Sequence, residues 1–198
     1  MSLAKIPLAG VIGSPIAHSK SPQIHGHWLK TLGLQGAYIP LHVEPEDLRQ
    51  VLEAMPKMGF IGANVTIPHK EAVIEIADII TDRAAMIGAV NTITFRADGK
   101  IQGDNTDGYG FIENLKAGAP DWVPGDGPAC VFGAGGAARA VISSLLDAGV
   151  PEILLANRTR VRAERLRSVF GNRVTVYDWS QAGTMVSHAG LVVNTTSL

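Results

Sequence analysis

Short apolar runs alternate with amphipathic segments along the 198 residues of the chain. A run of about four to eight apolar residues predicts a buried strand, whereas apolar positions three or four residues apart predict a helix. In the segment 44–57, for example, Leu48, Val51 and Leu52 fall on one helical face. The predicted strands are 5–12, 37–43, 60–67, 89–95, 100–103, 128–132, 152–156, 173–177 and 191–194, and the predicted helices are 22–32, 44–57, 69–79, 82–87, 107–116, 136–148, 160–170 and 181–187.

The order of these elements predicts two α/β domains with parallel sheets, because strands that alternate with helices are joined by right-handed crossovers. We expect a first domain at 1–106, a connecting helix and linker at 107–127, and a second domain at 128–198. The linker ends in the glycine- and proline-rich string AGAPDWVPGDG. Since no helix follows the last predicted strand to cover the sheet, we expect the native polypeptide to be longer and a chain ending at Leu198 to be inactive.

Two single residues refine this pattern. Ser21 is predicted as the N-cap of the helix 22–32, because a serine hydroxyl there can accept a hydrogen bond from the first turn. Pro40 lies inside the strand 37–43 and predicts an edge or irregular strand, since proline has no N–H to donate to a neighbour.

Composition excludes several classes of protein. Hydrophobic residues make up 46% of the chain, enough for a folded core, and 17 Lys and Arg against 18 Asp and Glu give a net charge of -1. That balance provides no electrostatic basis for binding nucleic acid or an anionic membrane, and no run reaches the ~18 apolar residues of a membrane span. Cys130 is the only cysteine, which excludes an intrachain disulfide and a cysteine zinc site. We expect a cytoplasmic protein with no metal site, since no histidines have the spacing of a ligand pair.

A glycine-rich loop follows the predicted strand 128–132 and opens the helix 136–148. It matches the pattern G-x-G-x-x-G/A, in which small residues let the backbone approach a pyrophosphate at the start of a helix. Glycine-rich turns also serve packing alone, but the strand–loop–helix context favours dinucleotide binding in a Rossmann-type domain. The loop consists of Gly133, Ala134, Gly135, Gly136 and Ala137, followed by Ala138.

The segment after the next strand indicates which dinucleotide is favoured. An Asp or Glu there would bind the ribose 2′-hydroxyl of NAD, but the chain has Asn157, Arg158 and Thr159 instead. The Arg158 guanidinium can bind a 2′-phosphate, and Arg162, one helical turn further on, adds a second cation. Two arginines alone would more often indicate a solvated helix start. Their place beside the cofactor ribose favours NADP.

Polar residues also cluster where the strands of the first domain end. An α/β domain carries its site at the carboxyl ends of its strands. One such cluster could be explained by turn chemistry alone, but several together favour a pocket for a polyhydroxylated small molecule. The residues concerned are Ser14, His18, Ser19, Lys20, Ser21, Asn64, Thr66, Lys70, Asn91, Thr92, Asp104, Asn105 and Asp107.

Seven segments of the chain resemble the shikimate dehydrogenase family and occur in the family's order. They span nearly the whole chain, and their combination is specific although the glycine loop alone is not. The segments are GSPIAHSKSP, NVTIPHK, GAVNT, GDNTDG, GAGGAARA, NRTRVR and VVNTTSL. The resemblance implies the reversible NADPH-dependent reduction of 3-dehydroshikimate to shikimate in aromatic amino-acid biosynthesis. It also implies a first domain that binds substrate and a Rossmann-type second domain that binds NADP.

The resemblance further assigns roles to individual residues. Ser19 and Ser21 would bind the substrate carboxylate, and Lys70 would be the acid/base residue paired with Asp107. The ring hydroxyls would be bound by Thr66, Asn91 and Asp107. The pyrophosphate would lie on Gly133 to Ala137, the adenosine 2′-phosphate would be bound by Asn157, Arg158, Thr159, Arg160, Val161 and Arg162, and Asp82 is a further cofactor position. A homodimer is the candidate assembly.

The sequence departs from the family pattern at two places. His69 stands where the family usually has phenylalanine, which we interpret as an aromatic substitute. The family also continues past NTTSL with helices that return to the first domain, and the sequence does not contain them.

Several alternatives stay open. Lys70 could act as a general acid/base or as a fixed cation that stabilises an alkoxide. A quinate/shikimate dehydrogenase that prefers NAD is the close alternative function. A dinucleotide-binding regulator without catalytic activity is the alternative from another class.

Overall fold

A computed structural model describes residues 6–196 of the chain. The chain forms two compact units, and the division between them falls between Asn105 and Thr106. The predicted connecting segment 107–127 lies within the second unit, where a helix occupies most of it. The first residue of the predicted strand 5–12 and the last two residues of the string VVNTTSL lie outside the described residues.

The described part of the first unit contains a six-stranded sheet in the order β2-β1-β3-β5-β6-β4. Its core includes the buried side chains of Ile12, Leu52, Val65 and Ile93. The strands are β1 Leu8–Gly13, β2 Ala37–His42, β3 Gly62–Val65, β4 Ile79–Ile80, β5 Thr92–Phe95 and β6 Ile101–Asp104, the helices are α1 Ser21–Thr31, α2 Leu48–Ala54 and α3 Asp82–Ile87, and 3₁₀ turns occur at Pro45–Asp47, Met55–Met58 and Ala72–Glu75.

This first sheet is mixed, so the prediction of a parallel sheet is wrong here. Strand β5 runs antiparallel to both β3 and β6. A tight turn joins β5 to β6, with Gly99 at φ 83° and the Lys100 N–H donating to the Asp98 carboxylate at 3.2 Å. So short a connection leaves no room for the crossover that parallel strands require. The edge position predicted from Pro40 is confirmed, because β2 is the outer strand.

The predicted helix 69–79 is largely wrong, whereas the predicted helix 44–57 is confirmed as a continuous helical segment of mixed α and 3₁₀ type. Only the 3₁₀ turn Ala72–Glu75 forms in the first, because the backbone after it pairs with β6 instead, where the Asp78 N–H donates to the Ile101 carbonyl at 2.9 Å. In the second, α-helix is confined to α2, and Pro56, which has no N–H for an α-helical hydrogen bond, lies in the 3₁₀ turn that follows.

The second unit contains a parallel four-stranded sheet in the order β10-β7-β8-β9 over its described residues, as predicted. Alternate residues of β7 pack on opposite faces: Val131 joins the core with Ile142 of α5, and Cys130 packs with Met185 of α7. The elements are α4 Asp107–Gly118, β7 Ala129–Phe132, α5 Gly136–Asp147, β8 Ile153–Ala156, α6 Arg160–Phe170, β9 Val174–Tyr177, α7 Ala182–Ser187 and β10 Leu191–Asn194, with 3₁₀ turns at Pro124–Asp126, Gly171–Arg173 and Trp179–Gln181. A search of residues 6–196 for a helix with the length and apolar character of a membrane span gives none.

Candidate active site

The strand register of the first unit brings several predicted substrate residues to one edge of its sheet. Asn64 of β3 pairs with Val11 of β1 on one side and with Thr92 of β5 on the other, and Thr92 pairs in turn with Asp104 of β6. Because β5 is antiparallel, it begins at the edge where β1, β3 and β6 end. We call this edge the polar edge, and its members are Ser14, Thr66, Asn91 and Asn105.

Backbone hydrogen bonds hold Thr66 and Asn91 on adjacent strands at the polar edge. The Thr66 N–H donates to the Ile12 carbonyl at 2.9 Å, and the Val65 N–H donates to the Asn91 carbonyl at 2.8 Å. Asn91 is only 8% exposed, and its Oδ1 accepts a hydrogen bond from the Thr92 hydroxyl at 2.8 Å. Both predicted substrate residues therefore have fixed backbone positions.

The two predicted carboxylate-binding serines lie at the start of α1. Ser21 is the first residue of the helix, and Lys20 occupies the N-cap position, so the N-cap prediction for Ser21 is wrong. The Ser21 N–H donates to the Ser19 Oγ at 3.3 Å. Ser19, two residues earlier, therefore provides the hydroxyl that accepts from the first turn, and both serines are half-buried.

Lys70 directly follows His69, a buried histidine whose ring is hydrogen-bonded to a backbone carbonyl. His69 is 1% exposed, and its Nε2 lies 2.8 Å from the carbonyl oxygen of Val43. A carbonyl can only accept, so Nε2 carries the proton, and His69 does more than substitute for an aromatic ring. The carbonyl of Lys70 accepts from the Val90 N–H at 2.7 Å, which fixes the lysine backbone next to the residue that precedes Asn91. The Lys70 side chain is half-buried.

Glu44 is a polar-edge partner that sequence reasoning missed. Its Oε1 lies 2.8 Å from His42 Nε2, and its Oε2 accepts from the Ser14 hydroxyl at 3.0 Å. These hydrogen bonds, that of His42 first, hold the pKa of Glu44 below its usual value. The segment after β2 thereby binds the start of the loop that carries Ser19. The only sequence signal was an acidic residue shortly after a predicted strand.

Asp104 anchors the last residues of the first unit. Its Oδ1 accepts from the Thr81 hydroxyl at 2.7 Å and from the Asn105 N–H at 2.7 Å, and its carboxylate also forms an ion pair with Arg83. Burial raises the pKa of Asp104, but the hydrogen bonds from Thr81 and Arg83 outweigh burial and lower it. Asn105 is completely buried and donates from Nδ2 to the Ala89 carbonyl at 2.9 Å.

The glycine loop of the second unit has two distinct glycine environments. Gly133 has φ 110°, and a Cβ there would lie 2.4 Å from Thr195 Oγ1, so no other residue fits without strain. Gly135 is the exposed N-cap of α5, and a Cβ there would meet open space. Ala138 is completely buried at the third small position, where α5 packs on the sheet. The remaining predicted members, Ala134, Gly136 and Ala137, lie between these positions.

The basic segment after β8 divides into bound and unbound arginines. Arg160 Nη1 lies 2.7 Å from Asp178 Oδ1, and its Nη2 lies 3.0 Å from Glu164 Oε1. Arg158 and Arg162 are exposed and form no ion pair with any residue in the described part of the chain. They are therefore available to an anionic ligand, whereas Arg160 is held within the protein. The other predicted members are Asn157, whose Nδ2 donates to the Thr159 carbonyl at 2.8 Å, and the exposed Val161.

Comparison with known proteins identifies the family. One family model, described as the shikimate dehydrogenase substrate binding domain, matches residues 11–93, and another, described as shikimate / quinate 5-dehydrogenase, matches residues 125–198. A shikimate dehydrogenase (NADP(+)) of Roseobacter denitrificans is 65% identical over 198 residues, which are 100% of this chain and 72% of that protein. The chain belongs to the shikimate dehydrogenase family.

Solved structures of family members match both units. A shikimate dehydrogenase from Aquifex aeolicus has a TM-score of 0.89 and 37% identity, over 100% of this chain and 71% of that chain. A shikimate 5-dehydrogenase from Thermus thermophilus, in complex with NADP(H) and shikimate, has a TM-score of 0.82 and 40% identity, over 96% of this chain and 68% of that chain. The α/β fold predicted from the sequence is that of the family.

Two residues to which the family resemblance assigns roles belong to a different unit from their proposed partners. Asp107 is the half-buried first residue of α4 and belongs to the second unit, whereas Lys70 belongs to the first. Asp82 is the exposed first residue of α3 in the first unit, although the other proposed cofactor residues are in the second. The roles of both stay predictions.

Proposed function

We propose that this member of the shikimate dehydrogenase family catalyses the reversible NADPH-dependent reduction of 3-dehydroshikimate to shikimate. The polar edge carries the proposal, because it sets the hydroxyl of Thr66 and the amide of Asn91 on adjacent strands, next to the segment that bears Lys70. The relatives support it: the Roseobacter protein is named for this activity with NADP, and the Thermus structure contains NADP(H) and shikimate.

Ser19 and Ser21 would bind the substrate carboxylate. The Ser19 hydroxyl accepts from the Ser21 N–H, so its own proton is available to donate to an anion. The amino end of α1 and the neighbouring Lys20 both favour negative charge at this place. Thr66, Asn91 and Asp107 would then bind the ring hydroxyls.

Lys70 would provide the proton that accompanies carbonyl reduction. Bound NADPH supplies the hydride. The alkoxide that results needs a proton, and the Lys70 Nζ ammonium is a competent donor. In the reverse direction the neutral amine would take the proton back from the hydroxyl. Asp107, which follows Asn105 by two residues in the sequence, would orient the Lys70 Nζ.

The residues of the second unit fit NADP. Open space at Gly135 permits close approach of a pyrophosphate to the start of α5, which the partial positive charge of a helix N-terminus favours. Arg158 and Arg162, which no carboxylate of the described residues binds, would hold the 2′-phosphate. The full proposed set consists of Gly133, Ala134, Gly135, Gly136, Ala137, Asn157, Arg158, Thr159, Arg160, Val161 and Arg162, with Asp82 as an additional member.

A spectrophotometric assay distinguishes the candidate functions. Turnover of shikimate with NADP supports the proposal. Turnover of quinate with NAD as the better pair would favour the quinate/shikimate alternative. Binding of dinucleotide without turnover of either acid, measured on the native-length polypeptide, would favour a regulator. A cytoplasmic location and a homodimer also remain predictions, which cell fractionation and light scattering would test.

Replacing Lys70 by Ala tests its proposed role. We expect kcat to fall by about 10²–10⁴-fold, the usual contribution of a general acid/base, while NADP affinity and melting temperature stay close to wild type. Lys100→Ala, which removes an exposed lysine of the β5–β6 turn, is the control and should retain full activity. A Lys70→Ala variant that keeps more than about a tenth of the wild-type kcat would contradict the assignment.

A further inference from the structure

The carboxyl edge of the second sheet carries a half-exposed tryptophan that no motif includes. Trp179 is 50% exposed and lies two residues after β9 ends. Its ring centroid is 5.5 Å from that of Phe132, at an interplanar angle of 72°. Phe132 is the last residue of β7 and directly precedes Gly133. The indole is therefore in contact with Phe132, the residue that directly precedes the glycine loop.

The strand register shows that β8 lies between the strand that precedes Trp179 and the strand that ends at Phe132. Phe132 pairs with Ala156 of β8, and Ala156 pairs with Tyr177 of β9, so β8 separates the strand before Trp179 from the strand of Phe132. A ring that reaches Phe132 from the loop after β9 must cross the end of β8 at Ala156. The methyl group of Ala156 is small enough to leave room for it. One face of the indole is thus set beside the carboxyl end of β8.

The loop that carries Trp179 is held in place by hydrogen bonds. The Asp178 N–H donates to Gln181 Oε1 at 2.9 Å, and the Asp178 side chain accepts in return from the Gln181 backbone. Asp178 Oδ1 also accepts from Arg160 Nη1 at 2.7 Å. Since Arg160 begins α6, this ion pair connects the Trp179 loop to the segment that carries Arg158.

The segments that carry Trp179 and Arg158 lead into helices on opposite faces of the second sheet. Phe132, Ala156 and Tyr177 share the face that packs against Met185 of α7. Arg158 instead leads into α6, whose Ala163 and Leu166 pack on the other face. A flat ligand group above the end of β8 would have the indole on one side and the guanidinium on the other. Aromatic rings and guanidinium planes are the protein groups on which nucleobases stack.

We propose that Trp179 forms one wall of the adenine site of NADP, opposite Arg158. The inference rests on the proposed NADP-dependent function and adds to it a residue that recognises the base. Gly135 at the start of α5 receives the pyrophosphate, and Arg158 and Arg162 receive the 2′-phosphate. The adenine ring lies between Trp179 and Arg158 and covers the exposed part of the indole.

Calorimetric titration with 2′,5′-ADP, which has the adenine and both phosphates but no nicotinamide, tests this. Trp179→Ala should bind it roughly 5- to 150-fold more weakly than wild type, the range for loss of one base–aromatic stack, and Trp179→Phe should recover most of that loss. Trp28→Ala removes an indole of similar exposure, 55%, from the first unit and should bind as wild type.

Fluorescence separates a stacking role from a purely structural one. The chain has three tryptophans. In a Trp28→Phe, Trp122→Phe double variant only Trp179 remains, and binding of 2′,5′-ADP should quench its fluorescence emission. The fluorescence measurement also tests the proposal if the Trp179→Ala variant does not fold. Unchanged emission on saturation, or wild-type affinity in Trp179→Ala, would overturn the role of Trp179 alone. Failure of the wild-type protein to bind 2′,5′-ADP would overturn the NADP function and this inference with it.

Discussion

Arg158 and Arg160 are two residues apart and differ in whether the protein already binds them. Asp178 and Glu164 hold Arg160, whereas Arg158 is exposed and has no ion-pair partner among residues 6–196. A charge-assisted hydrogen bond contributes about 1.5–3 kcal/mol. A 2′-phosphate should therefore draw its binding energy from Arg158 and only weakly from Arg160.

The first prediction at this scale concerns cofactor choice. Arg158→Ala should weaken NADP binding by about 10- to 150-fold and NAD binding little, because only NADP has the 2′-phosphate. Arg165→Ala, which removes an exposed arginine of α6 outside the proposed cofactor set, is the control and should bind both cofactors as wild type. Titration of both variants with both cofactors checks this. Equal losses for NADP and NAD in Arg158→Ala would show that the residue acts through the fold instead.

Sequence reasoning at the residue scale identified groups but not their partners. Lys70, Asn91 and Arg158 were predicted as site residues because each belongs to a string of characteristic residues, and their roles stay predictions. The hydrogen bond from His69 to Val43 was out of reach, since it joins residues 26 positions apart through the packing of one strand end on another. Glu44 was missed for the same reason: its partner Ser14 is 30 positions away.

Within the strand–loop–helix element of the second unit, Gly133 and Gly135 have different requirements. Gly133 has φ 110° and lies against Thr195, so it cannot carry a Cβ in its present conformation. Gly135 has φ -102°, which any residue adopts, and open space beside it. The first glycine is needed by the fold, and the second by the ligand that we propose.

Matched alanine variants distinguish these requirements. Gly133→Ala should destabilise the protein by about 1–3 kcal/mol, since the backbone conformation is unfavourable for alanine and Thr195 must move. Gly135→Ala should melt as wild type but bind NADP more weakly, because its methyl group would occupy the space left for the pyrophosphate. Thermal denaturation and NADP titration measure the two effects. Normal NADP affinity in Gly135→Ala would contradict a pyrophosphate at this loop.

Elements were predictable where their backbone partners are local or follow the βα alternation. Helix α6 has the predicted bounds Arg160–Phe170, because its hydrogen bonds are internal and its apolar face is regular. The segment 69–79 has equally regular apolar positions, but Asp78 and the residues after it take their hydrogen bonds from β6. Periodicity reports which residues are buried, and it does not report a distant strand that competes for the backbone.

At the scale of the whole molecule, the chain separates two kinds of chemistry. The first unit contains the hydroxyl and amide groups of the polar edge, and the second contains the glycine loop and the arginine segment after β8. Each unit has a core of its own. The sequence predicted two domains, but the division between the units lies between Asn105 and Thr106, before the glycine- and proline-rich string at 117–127 that indicated a linker. The mixed first sheet was not predicted, because the alternation of strands and helices does not show that β5 runs antiparallel to β3.

The single cysteine provides a probe of the second unit and of its ligand. Cys130 is completely buried in the central strand β7, and burial raises the pKa of its thiol to about 11. While the thiol stays buried, only about one in a thousand would be the reactive thiolate at pH 8. Reaction with a disulfide reagent such as dithionitrobenzoate therefore requires the sheet of the second unit to open.

Ligand binding at the carboxyl edge of that sheet should suppress this opening. At about 100 times its dissociation constant, 2′,5′-ADP would stabilise the closed form by about 2.7 kcal/mol. When opening and closing are fast relative to labelling, the rate follows the open population, so labelling of Cys130 should slow by about 100-fold. Adenosine 5′-monophosphate at the same concentration lacks the 2′-phosphate and should protect less. A labelling rate that 2′,5′-ADP leaves unchanged would mean that Cys130 is reached through a local opening that does not involve the cofactor edge.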